Sequence, residues 1–199
     1  MDQDDLARFK GTDRFQLQRC LGAGAFGIVY EAYDRERDCF VAIKMLHEAE
    51  GETLFRFKKE FRSLADITHP SLVGLYELIS AEGQWFFTME LVRGSNVLEY
   101  VRGGRASARI ERIRWALLQL GQGLLALHQA GKLHHDIKPS NILVSPEGQV
   151  KLLDFGMVTE LVRNDQRETL QVSGTPAFMS PEQASGQPMS EASDWYSVG

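Results

Sequence analysis

The stretch Gly22-Ala23-Gly24-Ala25-Phe26-Gly27-Ile28-Val29-Tyr30-Glu31-Ala32-Tyr33 decides how the start of this chain is read. Its glycines carry no Cβ, so backbone N–H groups there can approach phosphate oxygens closely. The GxGxxG spacing by itself also suits a dinucleotide-binding turn, or a glycine-rich turn with no ligand. A dinucleotide turn runs on into a helix. Here residues 28–33 step in the strand manner and are poor helix formers. The glycines therefore cap a β-hairpin.

Strand character spreads outward from that hairpin. Phe15-Gln16-Leu17-Gln18 alternates before it, and 39–46 is a short, nearly continuous apolar run after it. Residues 72–79 and 85–92 read as two more strands, making five. One helix interrupts them at 53–67, where Leu54, Phe57, Phe61, Leu64 and Ile67 share a face and Pro70 stops the run. Beyond residue 92 the character changes. A long helix spans 108–130 and ends near Gly131. A short polar segment follows, then a hairpin across Pro146-Glu147-Gly148, then a polar loop over 157–180. A structureless loop of that length inside a compact domain is usually functional.

Composition narrows the classes. Hydrophobic residues are 43% and charged residues 25%, which excludes a disordered, collagen-like or disulfide-scaffold chain. A net charge of −5 supplies no basic excess for a phosphate backbone, so no nucleic-acid partner is expected. Cys20 and Cys39 lack CxxC or metal spacing and read as plain thiols of a reducing compartment. The start Met1-Asp2-Gln3-Asp4-Asp5 is neither basic nor apolar, unlike a secretory signal. No run of 18 apolar residues exists, and the most apolar helix, 115–128, is broken by Gln119, Gly121, Gln122 and Gly123. A cytoplasmic location is expected. A membrane segment past Gly199 and the oligomeric state are left open.

Three further motifs carry chemistry. In Val41-Ala42-Ile43-Lys44 a lysine closes an apolar strand. It either snorkels to solvent or presents a cation to nucleotide phosphates. The second use needs a carboxylate, and Glu60 on the following helix is the candidate, although alone it would read as surface charge. In His134-His135-Asp136-Ile137-Lys138-Pro139-Ser140-Asn141, Pro139 keeps the segment from being helical. Asp136 can accept a proton from a substrate hydroxyl and Asn141 can hold a metal ion; an Asp/Asn turn pair reads equally from the residues. The two histidines lack a ligand set at zinc spacing. Asp154-Phe155-Gly156 ends an apolar strand, where a carboxylate suits Mg²⁺ or merely a turn.

In this order the motifs resemble one family, the eukaryotic-like Ser/Thr protein kinases. The match runs through Gly22-x-Gly24-x-x-Gly27-x-Val29, Val41-Ala42-Ile43-Lys44, Glu60, Asp136-x-x-x-x-Asn141, Asp154-Phe155-Gly156 and Ser180-Pro181-Glu182. Gly174-Thr175-Pro176-Ala177-Phe178-Met179-Ser180-Pro181-Glu182-Gln183 looks most like bacterial members, and Asp194-Trp195-Tyr196-Ser197-Val198-Gly199 like the start of their buried helix. The resemblance implies an α+β, two-lobed protein-kinase-like fold. Residues 1–14 would be an extension. Residues 15–92 would form the ATP-binding N-lobe, a five-stranded antiparallel sheet with one helix. Residues 93–199 would be part of a mostly helical C-lobe, incomplete here.

The resemblance also implies roles. The glycine loop covers the phosphates of ATP, and Lys44 contacts them while paired with Glu60. Asp154 and Asn141 hold Mg²⁺, and Asp136 orients and deprotonates the Ser/Thr hydroxyl of a protein substrate. Lys138 steadies the γ-phosphate, and Thr175 supports Asp136 and Lys138. Met89 is the gatekeeper, backbone groups of Glu90 and Val92 bond adenine, and Leu21, Val29, Ala42 and Leu143 sandwich the ring. Leu64, Leu75, His134 and Phe155 match the stack linking the lobes, with Asp194 at its base.

Two departures qualify this. The family usually has an arginine where His135 stands, pairing with a phosphorylated activation-loop residue. An ordinary histidine is mostly neutral at pH 7, so activity is expected not to require phosphorylation strictly, Thr169 and Ser173 being the candidate sites. The chain also stops within the Asp194 helix, so the family's later helices and their basic partner for Glu182 are missing. A fragment, marginally stable and weakly active, is expected. Two other readings compete. A small-molecule phosphotransferase shares the Asp-x-x-x-x-Asn geometry but not the segment 174–182. A pseudokinase or interaction module is opposed by the presence of Lys44, Glu60, Asp136, Asn141 and Asp154.

Overall fold

The computed structural model describes residues 9–24, 27–45, 51–81, 83–103, 106–153, 159–160 and 175–199. The chain divides into two compact units, Met1–Asp66 with Gly74–Leu91, and Ile67–Val73 with Val92–Gly199.

The first unit contains β1 (Phe15–Gly24), β2 (Gly27–Asp34), β3 (Cys39–Met45), helix α1 (Gly51–Leu64), β4 (Leu75–Ala81) and β5 (Gln84–Glu90). The strands form one antiparallel sheet in the order β1-β2-β3-β5-β4. Side chains alternate between its faces. On one face Ile28, Tyr30, Ala32, Val41, Ile43, Met45 and Phe86 pack with Phe9 and Phe15. Phe86 is fully buried and meets Phe9 at 5.2 Å and, edge-on, Phe15 at 5.7 Å. Burying such a ring stabilises by about 1.5–3 kcal/mol, and each aromatic contact adds roughly 1 kcal/mol. On the other face Phe87 packs against Phe61 of α1, flanked by Leu54, Leu75, Leu78, Trp85 and Met89. The register Val29↔Lys44↔Phe87 puts Lys44 on this second face.

Strand boundaries differ from the sequence pattern for identifiable reasons. β1 runs on from residue 18 to the Gly24↔Gly27 pair that closes the hairpin. Irregularities at Leu17/Arg19 and Cys20/Gly22 break its alternation, so only its first residues show the period of two. β4 starts at Leu75, not at 72. Leu72 and Val73 are buried in the second unit, where Val73 N–H donates to Leu152 O at 3.0 Å and Leu152 N–H to Ser71 O at 2.8 Å. An apolar pair reads alike whichever strand it joins. α1 ends at Leu64, three residues before the expected end; Ala65 N–H still bonds Phe61 O at 2.9 Å, the last such bond of the helical pattern.

Arg14, just before β1, ties that sheet's far edge to its first strands. Its guanidinium donates two bonds to Asp34 and two to Glu77, all at 2.8 Å. Arg37 adds two more to Glu77. A planar fork suits such paired carboxylate contacts.

The second unit contains β6 (Ser95–Asn96), α2 (Val97–Arg102), α3 (Arg109–Gln129), β7 (Lys132–Leu133), β8 (Ile142–Val144), β9 (Val150–Leu152), β10 (Thr159–Glu160), α4 (Pro181–Ala184) and α5 (Glu191–Val198). β6, β8 and β9 form one small sheet, β7 and β10 another. The helix expected at 108–130 is α3, followed by Gly131 at φ +71°. Its buried side holds Leu120, Leu124 and Leu127 but also Gln119. The Gln119 amide donates to Gly148 O at 2.8 Å and accepts from Val150 N–H at 3.1 Å, fastening the β8–β9 hairpin to the helix. α2, β6 and β7 are too short to show a period, so the sequence pattern does not indicate them. Most of the expected polar loop, 157–180, lies outside the described residues. Among the described residues no helix is long and apolar enough to cross a membrane.

Candidate active site

In the second unit the chain leaves β7 and enters a tight polar turn. The N–H groups of His134 and His135 both donate to the Asp194 carboxylate, at 2.8 Å each. His128 Nε2, on α3, bonds the same carboxylate at 2.9 Å. Burial opposes ionisation of Asp194, but these three bonds together outweigh it and hold the carboxyl below its ordinary range. His135 sits at φ +66°, a left-handed conformation that a non-glycine residue adopts at a cost of about 1–3 kcal/mol. The surrounding bonds sustain it. Gln183 Nε2 donates to His135 O at 2.8 Å, and Asp136 N–H donates to His134 Nδ1 at 3.3 Å.

That turn delivers Asp136 into a small charged cluster. Lys138 Nζ lies 2.8 Å from Asp136 Oδ2 and donates to Thr175 Oγ1 at 3.0 Å. Asn141 Nδ2 donates to Asp136 O at 2.8 Å and to Asp136 Oδ2 at 3.0 Å. Both of its donated bonds go through nitrogen, which leaves Oδ1 as a hard oxygen acceptor. Pro139 opens a 3₁₀ turn over Pro139–Asn141 that brings Asn141 back under Asp136. Asp136, Lys138, Asn141 and Thr175, expected to act together, are thus joined directly.

Of the sites expected in the first unit, Val29, Ala42, Lys44 and Met89 share one sheet face. Val29 pairs with Lys44, and Ala42 with Met89. Lys44 is only 5% exposed and lies over the Phe87 ring at 5.8 Å. It is therefore no snorkelling surface lysine. The Glu90 N–H is committed to Gly74 O at 2.8 Å, so an adenine bond from Glu90 could come only through its carbonyl. A Cβ on Gly22 would meet no atom within 4 Å, so the protein itself does not require glycine there. Gly27 is different: its φ of +138° disfavours any side chain. Gly24 faces Gly27 across the hairpin, and Leu21 is exposed beside it. Val92 and Leu143 belong to the second unit, and both are half-buried. The Glu60 side chain, and Asp154, Phe155, Thr169, Ser173 and Gly174, lie outside the described residues.

Among the described residues Glu182 has no basic partner, but the Ser193 hydroxyl donates to its Oε1 and lowers its pKa. Sequence reasoning missed His128 and Gln183. A histidine and a glutamine on helices carry no local signal; only proximity in the folded chain shows what they bond.

A family model described as "Protein kinase domain" matches residues 15–199, and this chain belongs to that family. Among curated proteins it is 38% identical, over 199 residues, to the serine/threonine-protein kinase PknA of Mycobacterium tuberculosis (strain ATCC 25618 / H37Rv), covering 94% of this chain and 45% of PknA. It is 33% identical over 191 residues to the serine/threonine-protein kinase PrkC of Bacillus subtilis, and 34% identical over 195 residues to the probable serine/threonine-protein kinase SCO3848 of Streptomyces coelicolor. In both cases 94% of this chain matches 29% of the relative, so the chain spans less than half the length of these curated relatives.

Proposed function

We propose that this chain carries the catalytic centre of a protein kinase that moves the γ-phosphoryl group of ATP to Ser/Thr hydroxyls of protein substrates. The observation that supports it most is the cluster of Asp136, Lys138, Asn141 and Thr175. Asp136 accepts the substrate hydroxyl proton as the oxygen attacks phosphorus and ADP leaves. Lys138 neutralises charge on the transferring group, and Thr175 keeps the ammonium in place. Positioning and charge neutralisation supply most of the rate in this chemistry.

ATP is assigned to Leu21, Gly22, Gly24, Gly27, Val29, Ala42, Lys44, Met89, Glu90, Val92 and Leu143. The open space at Gly22 suits close approach by a phosphate. The oxygen of Asn141 suits Mg²⁺, a hard cation that takes few protein ligands beside phosphates; Asn141 with Asp154 would hold it. When bound, Mg²⁺ neutralises charge on the phosphate oxygens. Glu60 is assigned as partner of Lys44. The domain division at residues 15–92 and 93–199 belongs to the same reading, as does a cytoplasmic location, whose reducing conditions suit two exposed, free cysteines. His135 is buried, which agrees with activity that does not depend strictly on phosphorylation of Thr169 or Ser173.

The test is transfer of label from γ-labelled ATP to proteins, with aminoglycosides as rival acceptors and Asp136→Asn as control. Label on protein Ser/Thr, lost in the variant, is expected. Label only on the small molecules, or ATP binding without transfer, would overturn the assignment.

A further inference from the structure

The turn before Asp136 is held from three sides. Asp194 takes the N–H groups of His134 and His135, and His134 Nδ1 takes that of Asp136. The remaining polar group of the His135–Asp136 peptide unit is the His135 carbonyl, and it accepts from Gln183 Nε2 at 2.8 Å. This peptide sets where the Asp136 carboxylate points. It also follows a residue at φ +66°, which relaxes unless its neighbours are fixed.

Gln183 is well placed to fix it. Its side chain is 5% exposed. It lies on α4, a single turn whose start is set by Ser180, completely buried, with Oγ accepting the Gln183 N–H at 3.3 Å. Pro181 occupies the first helical position, with φ already restricted. Residue 175, whose hydroxyl holds Lys138, lies eight positions earlier in the same segment. That one segment therefore touches the catalytic cluster twice, at Thr175 and through Gln183.

We infer that Gln183 is a positioning residue for phosphoryl transfer. Its amide holds the His135 carbonyl, so that the placing of α4 sets the orientation of Asp136. This rests on the kinase reading above. A carboxylate misplaced by about 1 Å costs on the order of a hundredfold in rate while ATP binding is untouched.

The experiment compares Gln183→Met, similar in size without a donor, Gln183→Glu and the exposed control Gln187→Ala in the full chain. It measures kcat, KM for ATP, thermal midpoint, and hydrogen exchange at the His135 and Asp136 amides. Gln183→Met should lower kcat by roughly 10- to 100-fold, leave KM for ATP within about twofold, and speed exchange at both amides. The carboxyl introduced by Gln183→Glu donates to a carbonyl only when protonated. Activity of that variant relative to wild type should therefore rise as pH falls, a dependence absent from Gln183→Met. Unchanged kcat and exchange in Gln183→Met would overturn the inference. So would losses that match in both variants at every pH and merely follow the thermal midpoint. Should Gln183→Met not fold, the Gln183→Glu series carries the test. If the wild-type chain transfers no phosphoryl group, the functional reading falls, and the exchange measurement alone decides the positioning role.

Discussion

Lys138 Nζ stands 2.8 Å from Asp136 Oδ2, while its other described bond goes to the Thr175 hydroxyl. The ammonium thus bridges the proposed base and the segment that leads into α4. Lys138→Met should lower kcat by roughly a hundredfold and Thr175→Ala by about tenfold, with little change in KM for ATP. Steady-state kinetics on a peptide substrate, normalised to the folded fraction, check this; a rise in KM for ATP at unchanged kcat would assign the two residues to ATP binding instead.

Asp194 ties α3, α5 and the turn before Asp136 together. Asn at this position cannot accept at both oxygens, so at least one buried N–H loses its partner. Asp194→Asn should lower unfolding stability by about 2–4 kcal/mol, read from urea denaturation. Its native pKa is depressed, so the contribution is complete above the carboxylate's ordinary value and is lost as pH falls through the native one.

Glu77 should govern much of the acid limb of stability. Hydrogen bonds from Arg14 first, then Arg37, hold its carboxyl at about 2, against an ordinary 4.5. A depressed native pKa stabilises above the unfolded value. The contribution is therefore whole at pH 7, fades below about 5, and vanishes below the native value. Asp34, also bonded to Arg14, is lowered in the same direction. Glu77→Gln should flatten the decline between about pH 5 and pH 2 in thermal scans. Because Glu77 is about one-third exposed, the effect should shrink in high salt.

Gly22 and Gly27 should respond oppositely to alanine. Gly22→Ala meets open space, so stability should hold within about 0.5 kcal/mol. If the backbone there bonds phosphate, KM for ATP should rise by roughly tenfold, the size of one lost hydrogen bond. Gly27→Ala forces a side chain onto φ +138° and should cost about 1–3 kcal/mol of stability. Melting curves and ATP titrations separate the two.

Much of this architecture was legible in local pattern. The alternation at 28–33 and the 3.6-residue period of α1 and α3 reflect burial of one face, and the unbroken apolar run of β3 reflects burial on both, which a short window of sequence records. The order of the motifs likewise pointed to the family that residues 15–199 match. Where a pattern was ambiguous, reading stopped short. Leu72 and Val73 looked like the start of β4 because apolar residues do not announce which backbone they will pair with.

Sequence alone determined which residue types are available: an acid and an amide five apart, a lysine ending a buried strand, glycines closing a hairpin. These depend on nearest neighbours and on side-chain chemistry, both written locally. Only the tertiary structure decided that Asp194 grips the N–H groups of residues 60 and 59 positions before it, and that Gln183 reaches a carbonyl 48 positions away. Such bonds form because burial leaves each polar group of the turn to find a partner inside the protein, and the fold alone determines which partners come within about 3 Å.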